Sequence, residues 1–337
     1  MNLADFDYQL PKEYIAQKPL EIRDQSKLMV LSRSEKSRTH HQFFELPKLL
    51  TPGSVLVMNQ SKVIPARLLF NIGSVKAEVL LIKKLTEKIW ECMVKPGPKF
   101  VPGTVIEVDA ELKLSVSDIT PNGLRIVEFG CKDFDSYLKA HGHTPLPPYI
   151  KETLSDSNRY QTVYAKTDGS VAAPTAGFHF SDPLLKELRE SGIQTEFVTL
   201  HVGLGTFQPV KTDTIEEHRM HSEWFELSSE TAKKLNAAKR EGRKIVAVGT
   251  TSVRVLESCA NEHGELISRS GETDIFIYPG YKWKFVDELI TNFHVPKSTL
   301  LMLVSAFTNR EWILESYEDA KKNGYRFFSF GDAMYIK

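Results

Sequence analysis

The sequence predicts an α/β protein, a multidomain α+β arrangement in which helices cover both faces of a large mixed β-sheet and a small β-barrel domain is inserted. Its 337 residues suffice for about two domains. Residues 63–127 contain short alternating runs rich in β-branched side chains, whereas the segments on either side alternate strand with helix. We therefore expect a discontinuous α/β domain at 1–61 and 149–337 and a barrel domain at 62–148.

The barrel prediction rests on five runs in which apolar and polar residues alternate, separated by turns such as Pro-Gly and Pro-Asn-Gly. These runs occupy residues 77–85, 89–94, 104–108, 112–116 and 124–129. The proline-rich stretch 144–149 then leads out of the barrel and is stiff enough to serve as a hinge.

The flanking regions show strands that alternate with helices. The predicted strands are 54–59, 193–202, 244–249, 274–277, 289–293 and 325–330. Helices are predicted at 183–191 and 228–241, each followed by a glycine, and from the cap residue Ser298 to Phe307. This order implies a largely parallel or mixed sheet.

Composition and charge exclude several classes of protein. Lys plus Arg and Asp plus Glu number 43 each, so a nucleic-acid partner would need a local basic patch. The three cysteines lie far apart, which argues against a disulfide framework or a zinc-thiolate site and favours a reducing cytoplasm. The N-terminus lacks the order of an export signal, and the longest apolar stretch, 300–307, is too short to span a bilayer. We expect a cytoplasmic protein without a membrane partner.

Two glycine-rich runs within residues 171–210 mark a candidate site. The run 173–180, APTAGFHF, is too broken by Pro and Gly to be a regular element, and 201–207, HVGLGTF, directly follows a predicted strand. Small residues beside a strand end let backbone N–H groups approach a ligand. The alternative is two ordinary glycine turns with packed core histidines.

Two further segments carry polar residues where a predicted strand gives way to a helix. In 248–254, VGTTSVR, free N–H groups and the helix dipole favour a phosphate or carboxylate, although the segment is no Walker motif and a simple Thr cap is the alternative. The segment 291–299, TNFHVPKST, has the same organisation. Because ligands bind beyond the carboxyl ends of strands in open α/β sheets, we expect these loops to share one pocket.

The segment 218–223, HRMHSE, allows three interpretations. His218, His221 and Glu223 could ligate a divalent metal together with other histidines of the chain. They could instead carry protons, because an imidazole titrates near neutral pH. Surface histidines that cap a strand are the third interpretation.

A basic region lies within the predicted barrel. Residues 62–99 contain eight basic and three acidic side chains, with Trp90 and Phe100 close by. Such a region could follow a phosphate backbone and stack on an unpaired base. Lysines on edge strands also prevent aggregation, so a structural role is the alternative.

Ten segments together carry a family resemblance. They are 23–28, 65–68, 145–150, 159–164, 172–180, 201–210, 218–223, 249–254, 276–281 and 291–299. The sequence closely resembles the S-adenosylmethionine:tRNA ribosyltransferase-isomerase family of the queuosine pathway, from end to end. It departs at Phe178, where Leu is usual, and at Gln60, which cannot ionise and stands where Asp is more frequent.

The resemblance implies an enzyme that transfers the ribosyl carbons of S-adenosylmethionine to 7-aminomethyl-7-deazaguanine at the wobble position of tRNA and isomerises them. The implied products are epoxyqueuosine-tRNA, adenine and methionine. No metal and no redox cofactor are implied, because S-adenosylmethionine is a consumed substrate. We expect a monomer that binds the tRNA anticodon loop, with an α/β domain and a small β-barrel.

Site residues are assigned as hypotheses on this basis. The candidate proton carriers are His179, His201, His221 and Glu223. The candidate substrate-binding residues are Thr175, Gly177, Gly203, Gly205, Thr206, Thr250, Thr251, Arg254, Asn292 and His294. Thr250, Thr251 and Arg254 are expected to hold the methionine carboxylate or a tRNA phosphate, and Asn292 with His294 to bind adenine or ribose. The candidate tRNA-binding residues are Lys62, Arg67 and Lys95.

Two other classes of function compete with this one. A metal-dependent hydrolase would use His218, His221 and Glu223 as ligands. A non-catalytic tRNA-binding or folding module would use the basic region without the loop pocket.

Overall fold

The computed structural model describes residues 1–152, 154, 156–203, 210 and 212–337. The chain forms two compact units. The sheet unit comprises Met1–Lys62, Pro148–Thr167 and Ala173–Lys337, and the barrel unit comprises Val63–Pro147 and Asp168–Ala172.

Strands and α-helices are numbered in chain order over the described residues. The strands are β1 Lys27–Ser32, β2 Ser37–Gln42, β3 Val55–Asn59, β4 Ser61–Val63, β5 Arg67–Ile72, β6 Val75–Lys84, β7 Ile89–Lys95, β8 Val105–Glu107, β9 Lys113–Ile119, β10 Arg125–Gly130, β11 Thr167–Ser170, β12 Gln194–Leu200, β13 Glu223–Leu227, β14 Ile245–Val248, β15 Arg269–Thr273, β16 Glu288–Asn292 and β17 Ala333–Ile336. The helices are α1 Leu46–Leu49, α2 Phe134–His141, α3 Asp182–Glu190, α4 Ser229–Arg240, α5 Thr250–Cys259, α6 Thr299–Phe307 and α7 Arg310–Lys322. No helix in this part of the chain has the length and apolarity needed to cross a bilayer.

The sheet unit is built on a nine-stranded mixed sheet in the order β15-β13-β12-β3-β14-β16-β17-β1-β2. Strands β12, β3, β14 and β16 are mutually parallel neighbours, whereas β13 and β17 run antiparallel to the strands beside that block. The carboxyl ends of four parallel strands therefore lie at one edge of the sheet. The predicted large mixed sheet is confirmed, and helix cover on both of its faces stays a prediction.

Helix α3 shows how the sequence pattern positions an element on this sheet. The Ser181 hydroxyl accepts the Leu184 N–H at 3.2 Å and so caps the first turn. Leu184 and Leu188 are one helical turn apart and share a buried cluster with Leu56 of β3 and Val246 of β14. The amphipathic face thus fixes the helix against the parallel strands.

The barrel unit contains a six-stranded antiparallel, barrel-like sheet in the order β5-β6-β7-β10-β9-β8. Alternating residues face its interior, and Val79, Leu114, Val127 and Phe129 are fully or almost fully buried. Five of these strands were predicted from the alternation. The strand β5 was not.

Two predicted strands of the sheet unit are wrong. The predicted strand at 274–277 lies just after β15, which pairs with β13 and ends at Thr273. The predicted strand at 325–330 contains a turn, because Phe328 has φ +71°, and the strand that pairs is β17.

A buried carboxylate on α5 fastens the chain that enters β16. Glu257 is 2% exposed, and its two oxygens accept the N–H groups of Lys284, Phe285 and Val286 and the hydroxyl of Tyr281 at 2.9–3.1 Å. Three backbone donors thus depend on one side chain. These bonds, here called the Glu257 clamp, fix the chain just before β16. They therefore influence where β16 lies at the edge of the sheet.

Replacing Glu257 with Ala should lower the free energy of unfolding by about 3–5 kcal/mol, because two buried and two part-buried donors lose their acceptor. Urea unfolding followed by circular dichroism measures this change. Glu230 is a matched control, since its side chain is 78% exposed and pairs only with Lys234 among the ion pairs of the described chain. Its replacement with Ala should change stability by about 0.5 kcal/mol or less. Equal unfolding midpoints for both variants would contradict the clamp.

Candidate active site

A cavity of about 200 Å³ opens in the sheet unit where β12, β14 and β16 end. Val202 follows β12, residues 249–251 follow β14, and residues 291–298 complete β16 and lead to α6. Residues 173–176 of the first glycine-rich run form another wall. The predicted convergence of the strand-end loops is therefore confirmed.

The N-terminus of α5 forms one wall of this cavity. Gly249 has φ +84°, and a Cβ there would meet the Ala176 Cβ at 3.3 Å, so the close approach favours glycine. The N-cap residue Gly249 has no side chain to cap the helix, which leaves the N–H groups of Thr250 and Thr251 without a side-chain cap among the described residues. The Thr251 hydroxyl is buried and has no hydrogen-bond partner in the described part of the chain. This wall offers donors to an acceptor-rich or anionic group.

Asn292 ties three segments together behind the cavity. Its Nδ2 donates to the Phe328 carbonyl at 3.1 Å and lies 3.2 Å from His179 Nε2. His179 Nδ1 is 2.7 Å from the Ser26 hydroxyl, so both ring nitrogens are engaged. Burial, helped by the positive charges of Arg326 and Arg23, lowers the pKa of His179 to about 3. His179 is therefore neutral and does not line the cavity.

Another wall of the cavity is aromatic and has a strained backbone. The Phe328 ring lies 4.9 Å from the Tyr149 ring, and the Tyr149 hydroxyl bonds to the Ser329 hydroxyl at 2.6 Å. Phe328 and Lys297 are two of the three non-glycine residues with positive φ among those the structure describes, and both line this cavity. Such backbone conformations cost about 1–3 kcal/mol each and cluster at functional sites.

His294 is a buried residue that lines the cavity. Its Nε2 is 3.0 Å from the Thr291 hydroxyl, and its backbone N–H donates to the Tyr317 hydroxyl at 3.0 Å. Burial lowers the pKa of His294 to about 3, so the ring is neutral. Thr175, Thr250 and Asn292 also line the cavity, as their assignment to substrate binding requires.

Glu223 and Arg254 form a buried ion pair beside this region. Glu223 begins β13, and its Oε1 accepts the Gly203 N–H at 2.8 Å while Oε2 bonds to Nη1 of Arg254. Arg254 also donates to the Thr273 carbonyl at 3.3 Å, and both charged residues are 5% exposed. The ion pair connects the loop after β12 to α5. Arg254, expected to hold an anion, is engaged by a protein carboxylate.

His201 and His221, the other two histidines proposed as proton carriers, are not among the described residues that line the cavity. His201 stacks on Trp224 with ring centroids 5.0 Å apart, and its backbone N–H donates to the Trp224 carbonyl at 2.9 Å. His221 is exposed, and burial and the His221 charge lower the pKa of half-buried His218. Over the described ranges, no three His, Cys, Asp or Glu side chains are grouped as metal ligands.

Three more predicted substrate-binding residues, Gly177, Gly205 and Thr206, belong to the two glycine runs. A Cβ on Gly177 would lie 2.0 Å from the Tyr164 hydroxyl oxygen, so this glycine permits close packing. The candidate residues Gly205 and Thr206 lie outside the described residues.

The predicted tRNA-binding residues fall in both units. In the barrel unit, Arg67 of β5 pairs with Glu78 of β6 at 3.3 Å, and Lys95 of β7 lies opposite Glu78. The register therefore puts Arg67 and Lys95 on the same face of that sheet. Lys62 belongs to the sheet unit and is exposed.

Three cavity residues escaped the sequence prediction. Tyr149 was assigned to a hinge, and Phe328 and Ser329 were assigned to a strand. The run Phe330-Gly331-Asp332 is a turn signal that indicates a loop there rather than a strand.

The two buried neutral histidines predict a loss of stability in acid. An unfolded histidine has a pKa near 6.5, so between about pH 6.5 and pH 3 the unfolded chain binds more protons than the folded one. Each histidine then lowers the free energy of unfolding by up to about 1.4 kcal/mol per pH unit as the pH falls.

Replacing His294 with Gln should make this dependence less steep between about pH 5 and 6.5, measured by urea unfolding. Replacing the exposed His263 with Gln should leave the slope unchanged, and equal slopes for all three proteins would contradict the argument.

Comparisons with known proteins agree with the resemblance. A family model described as Queuosine biosynthesis protein matches residues 3–336. The S-adenosylmethionine:tRNA ribosyltransferase-isomerase of Finegoldia magna is 52% identical over 340 residues, covering 100% of this chain and 98% of the relative. The protein of the same name from Carboxydothermus hydrogenoformans is 53% identical over 340 residues, with 100% of both chains covered.

A solved structure is also similar. The crystal structure of S-adenosylmethionine tRNA ribosyltransferase from Thermotoga maritima is 41% identical, covers 99% of this chain and 100% of its own, and has a TM-score of 0.58. Sequence and fold thus agree over essentially the whole length. The chain belongs to the queuosine biosynthesis protein family, the family of the S-adenosylmethionine:tRNA ribosyltransferase-isomerases.

Proposed function

We propose that this chain transfers and isomerises the ribosyl moiety of S-adenosylmethionine onto 7-aminomethyl-7-deazaguanine at the wobble position of tRNA. The products would be epoxyqueuosine-tRNA, adenine and methionine. The observation that carries the proposal is the cavity at the strand ends, whose walls include the N-terminus of α5 and the aromatic residues Tyr149 and Phe328. Family membership supplies the reaction class.

The cavity walls suit the parts of S-adenosylmethionine. The N–H groups and hydroxyls of Thr250 and Thr251 are donors for the methionine carboxylate. The rings of Tyr149 and Phe328 offer a surface for a nucleobase, and Asn292 lies at the same wall. Arg254, a residue of α5, acts by holding Glu223 rather than as a direct ligand.

The chemistry needs a proton carrier and exclusion of water. A base removes a proton from the 5′ carbon, which the adjacent sulfonium acidifies, so that the furanose opens and protonated adenine leaves. Ring opening and loss of adenine leave a vinyl sulfonium and an aldehyde. The neutral amine of the tRNA base then adds to the 4′ carbon of the vinyl sulfonium and gives its proton to a proton carrier, which regenerates an ylide at the 5′ carbon. The ylide carbon bonds to the aldehyde carbon, and the alkoxide so formed displaces methionine and closes the epoxide. Water in the site would quench the ylide.

The proposed proton carriers take different parts in this scheme. Glu223 is a buried carboxylate whose Oε1 accepts the Gly203 N–H. His221 lies two residues before it, and the His201 backbone bonds to the carbonyl of the neighbouring Trp224. His179 has both nitrogens engaged and a pKa of about 3, so we assign it to positioning Asn292. Roles for Lys62, Arg67 and Lys95 in holding the tRNA backbone are part of the same proposal.

We further propose that the enzyme acts as a cytoplasmic monomer without a metal or redox cofactor. The reaction class supports this proposal, because S-adenosylmethionine supplies its own leaving groups. The free thiols of Cys92, Cys131 and Cys259 fit a reducing compartment.

Mass spectrometry tests the function. tRNA that carries the aminomethyl base is incubated with the protein and S-adenosylmethionine, and the nucleosides are then analysed together with free adenine. We expect a new nucleoside with the mass of epoxyqueuosine and an equal amount of adenine. An unchanged tRNA would reject the function, and activity abolished by a chelator would favour the metal-dependent alternative.

Replacing Thr251 with Val should raise the KM for S-adenosylmethionine about tenfold, because a donor to the substrate is lost. Stability should not fall, since the buried hydroxyl has no partner to lose within the described residues. Steady-state kinetics and thermal unfolding measure both effects. The matched control is Ser252→Ala, which removes a bond to the Val248 carbonyl at 2.8 Å and should cost about 1 kcal/mol of stability with KM unchanged. An unchanged KM for the Thr251 variant, or an equal rise for the control, would reject the assignment of Thr251.

Replacing Glu223 with Gln should lower kcat at least about a hundredfold, because a proton carrier is lost. The variant should also be less stable by about 3 kcal/mol, since Arg254 keeps a buried charge without its partner. Adenine release is therefore measured at a temperature at which circular dichroism reports a folded protein. Glu226→Gln, an exposed position on the same strand, is the control and should be fully active. Full turnover by the Glu223 variant would remove this residue from the mechanism.

A further inference from the structure

A notch lined by three arginines adjoins the cavity in the sheet unit. Arg23, Arg159 and Arg326 surround it, together with Ser329 and Gly331. Ser329 also lines the main cavity, so the notch and the cavity share a wall. None of these arginines has a part in the mechanism above.

Two of the guanidinium groups are held by backbone carbonyls. Arg23 donates to the carbonyls of Phe178, Asn158 and Gln161 at 2.9–3.3 Å. Arg159 donates to the carbonyls of Leu20 and Glu21. The carbonyls fix the orientation of both groups but do not neutralise their charge.

Carboxylate partners are scarce at this notch. Within the described ranges, neither Arg23 nor Arg159 forms an ion pair, and Arg326 bonds to Asp332 at 3.4 Å. The Arg159 Nε is buried without a hydrogen-bond partner there. Burial and then repulsion by the Arg159 charge lower the pKa of Arg23, and the charges of Asp156 and Asp182 offset this lowering only in part. An anion in the notch would relieve this repulsion.

Phosphate matches this arrangement better than a single carboxylate does. A guanidinium is a planar fork of donors that binds two oxygens at once, and a phosphodiester offers two unesterified oxygens to neighbouring forks. Phosphate contacts also fix the register of a nucleic acid on a protein. The shared Ser329 wall puts such a phosphate next to the cavity that would receive an extruded base.

We propose that the arginine notch binds a backbone phosphate of the tRNA next to the nucleotide whose base enters the cavity. The inference rests on the proposed function and adds a binding site on the sheet unit to the lysines and arginine considered above. The notch holds the phosphate, and the cavity holds the base.

The test compares Arg159→Gln with Arg159→Lys in the full-length protein. Both variants lose the guanidinium that donates to the Leu20 and Glu21 carbonyls, but only the Gln variant loses the positive charge. Fluorescence anisotropy measures the affinity for labelled tRNA that carries the aminomethyl base, at several salt concentrations, and calorimetry measures the affinity for S-adenosylmethionine. Arg326→Gln repeats the test at a residue bonded to a side chain, and Arg38→Gln, an arginine ion-paired with Glu315 outside the notch, is the control.

We expect Arg159→Gln to bind tRNA about tenfold more weakly, with a salt dependence smaller by about one counterion, while S-adenosylmethionine affinity is unchanged. Arg159→Lys should fall between the parent protein and the Gln variant, because it keeps the charge but loses the fork, and the control should stay close to the parent protein. The inference is overturned if the Gln variants bind tRNA normally, if the Lys variant loses as much as the Gln variant, or if S-adenosylmethionine affinity falls in parallel. If the parent protein binds no tRNA, the proposed function falls as well, whereas normal binding by the variants rejects the notch alone.

Discussion

The carboxamide of Asn292 is the contact on which the shape of the cavity depends. The side chain is 3% exposed and joins the end of β16 to the Phe328 turn and to the short helix Thr175–His179. Loss of the amide would leave the buried Phe328 carbonyl and the Nε2 of the buried His179 without this hydrogen bond. Each loss should lower the free energy of unfolding by about 1–3 kcal/mol. The Phe328 backbone is held in an unfavourable region, so it needs this anchor more than an ordinary turn would.

Helix α5 connects its own wall of the cavity to the rest of the sheet unit. Thr250, Arg254 and Glu257 follow one another at helical spacing, so they form a polar stripe along one face of a buried helix. The first residue meets the cavity, the second binds Glu223, and the third clamps the chain before β16. Each of these polar groups is buried, and Arg254 and Glu257 are matched with partners of suitable charge or donor type, as burial requires. One helix thereby couples the geometry of the site to the stability of the fold.

Local patterns predicted much of the fold. Period-two alternation identified the strands at 89–94 and 124–129, and Ser298 was correctly predicted as a helix cap, because both signals depend on neighbouring residues. The stretch 325–330 was mistaken for a strand because its aromatic residues resemble one, although a turn interrupts it. The pair Glu223–Arg254 spans 31 residues, and Ser26 lies 153 residues before His179. Such contacts arise from sheet order, which a single sequence does not display, and therefore the positioning part of His179 was not predicted.

The uncharged state of the buried imidazoles affects the charge that a ligand in the cavity can carry. A protonated ring at the position of His294 would repel a sulfonium cation at about 5 Å by roughly 3 kcal/mol, taking an effective dielectric constant of about 20. A desolvated, electroneutral imidazole imposes no such repulsion and keeps only its hydrogen-bonding capacity. The low basicity of His294 thus allows a sulfonium or other onium group to lie in the cavity without this repulsion. The imidazole would become cationic only at a pH well below neutral.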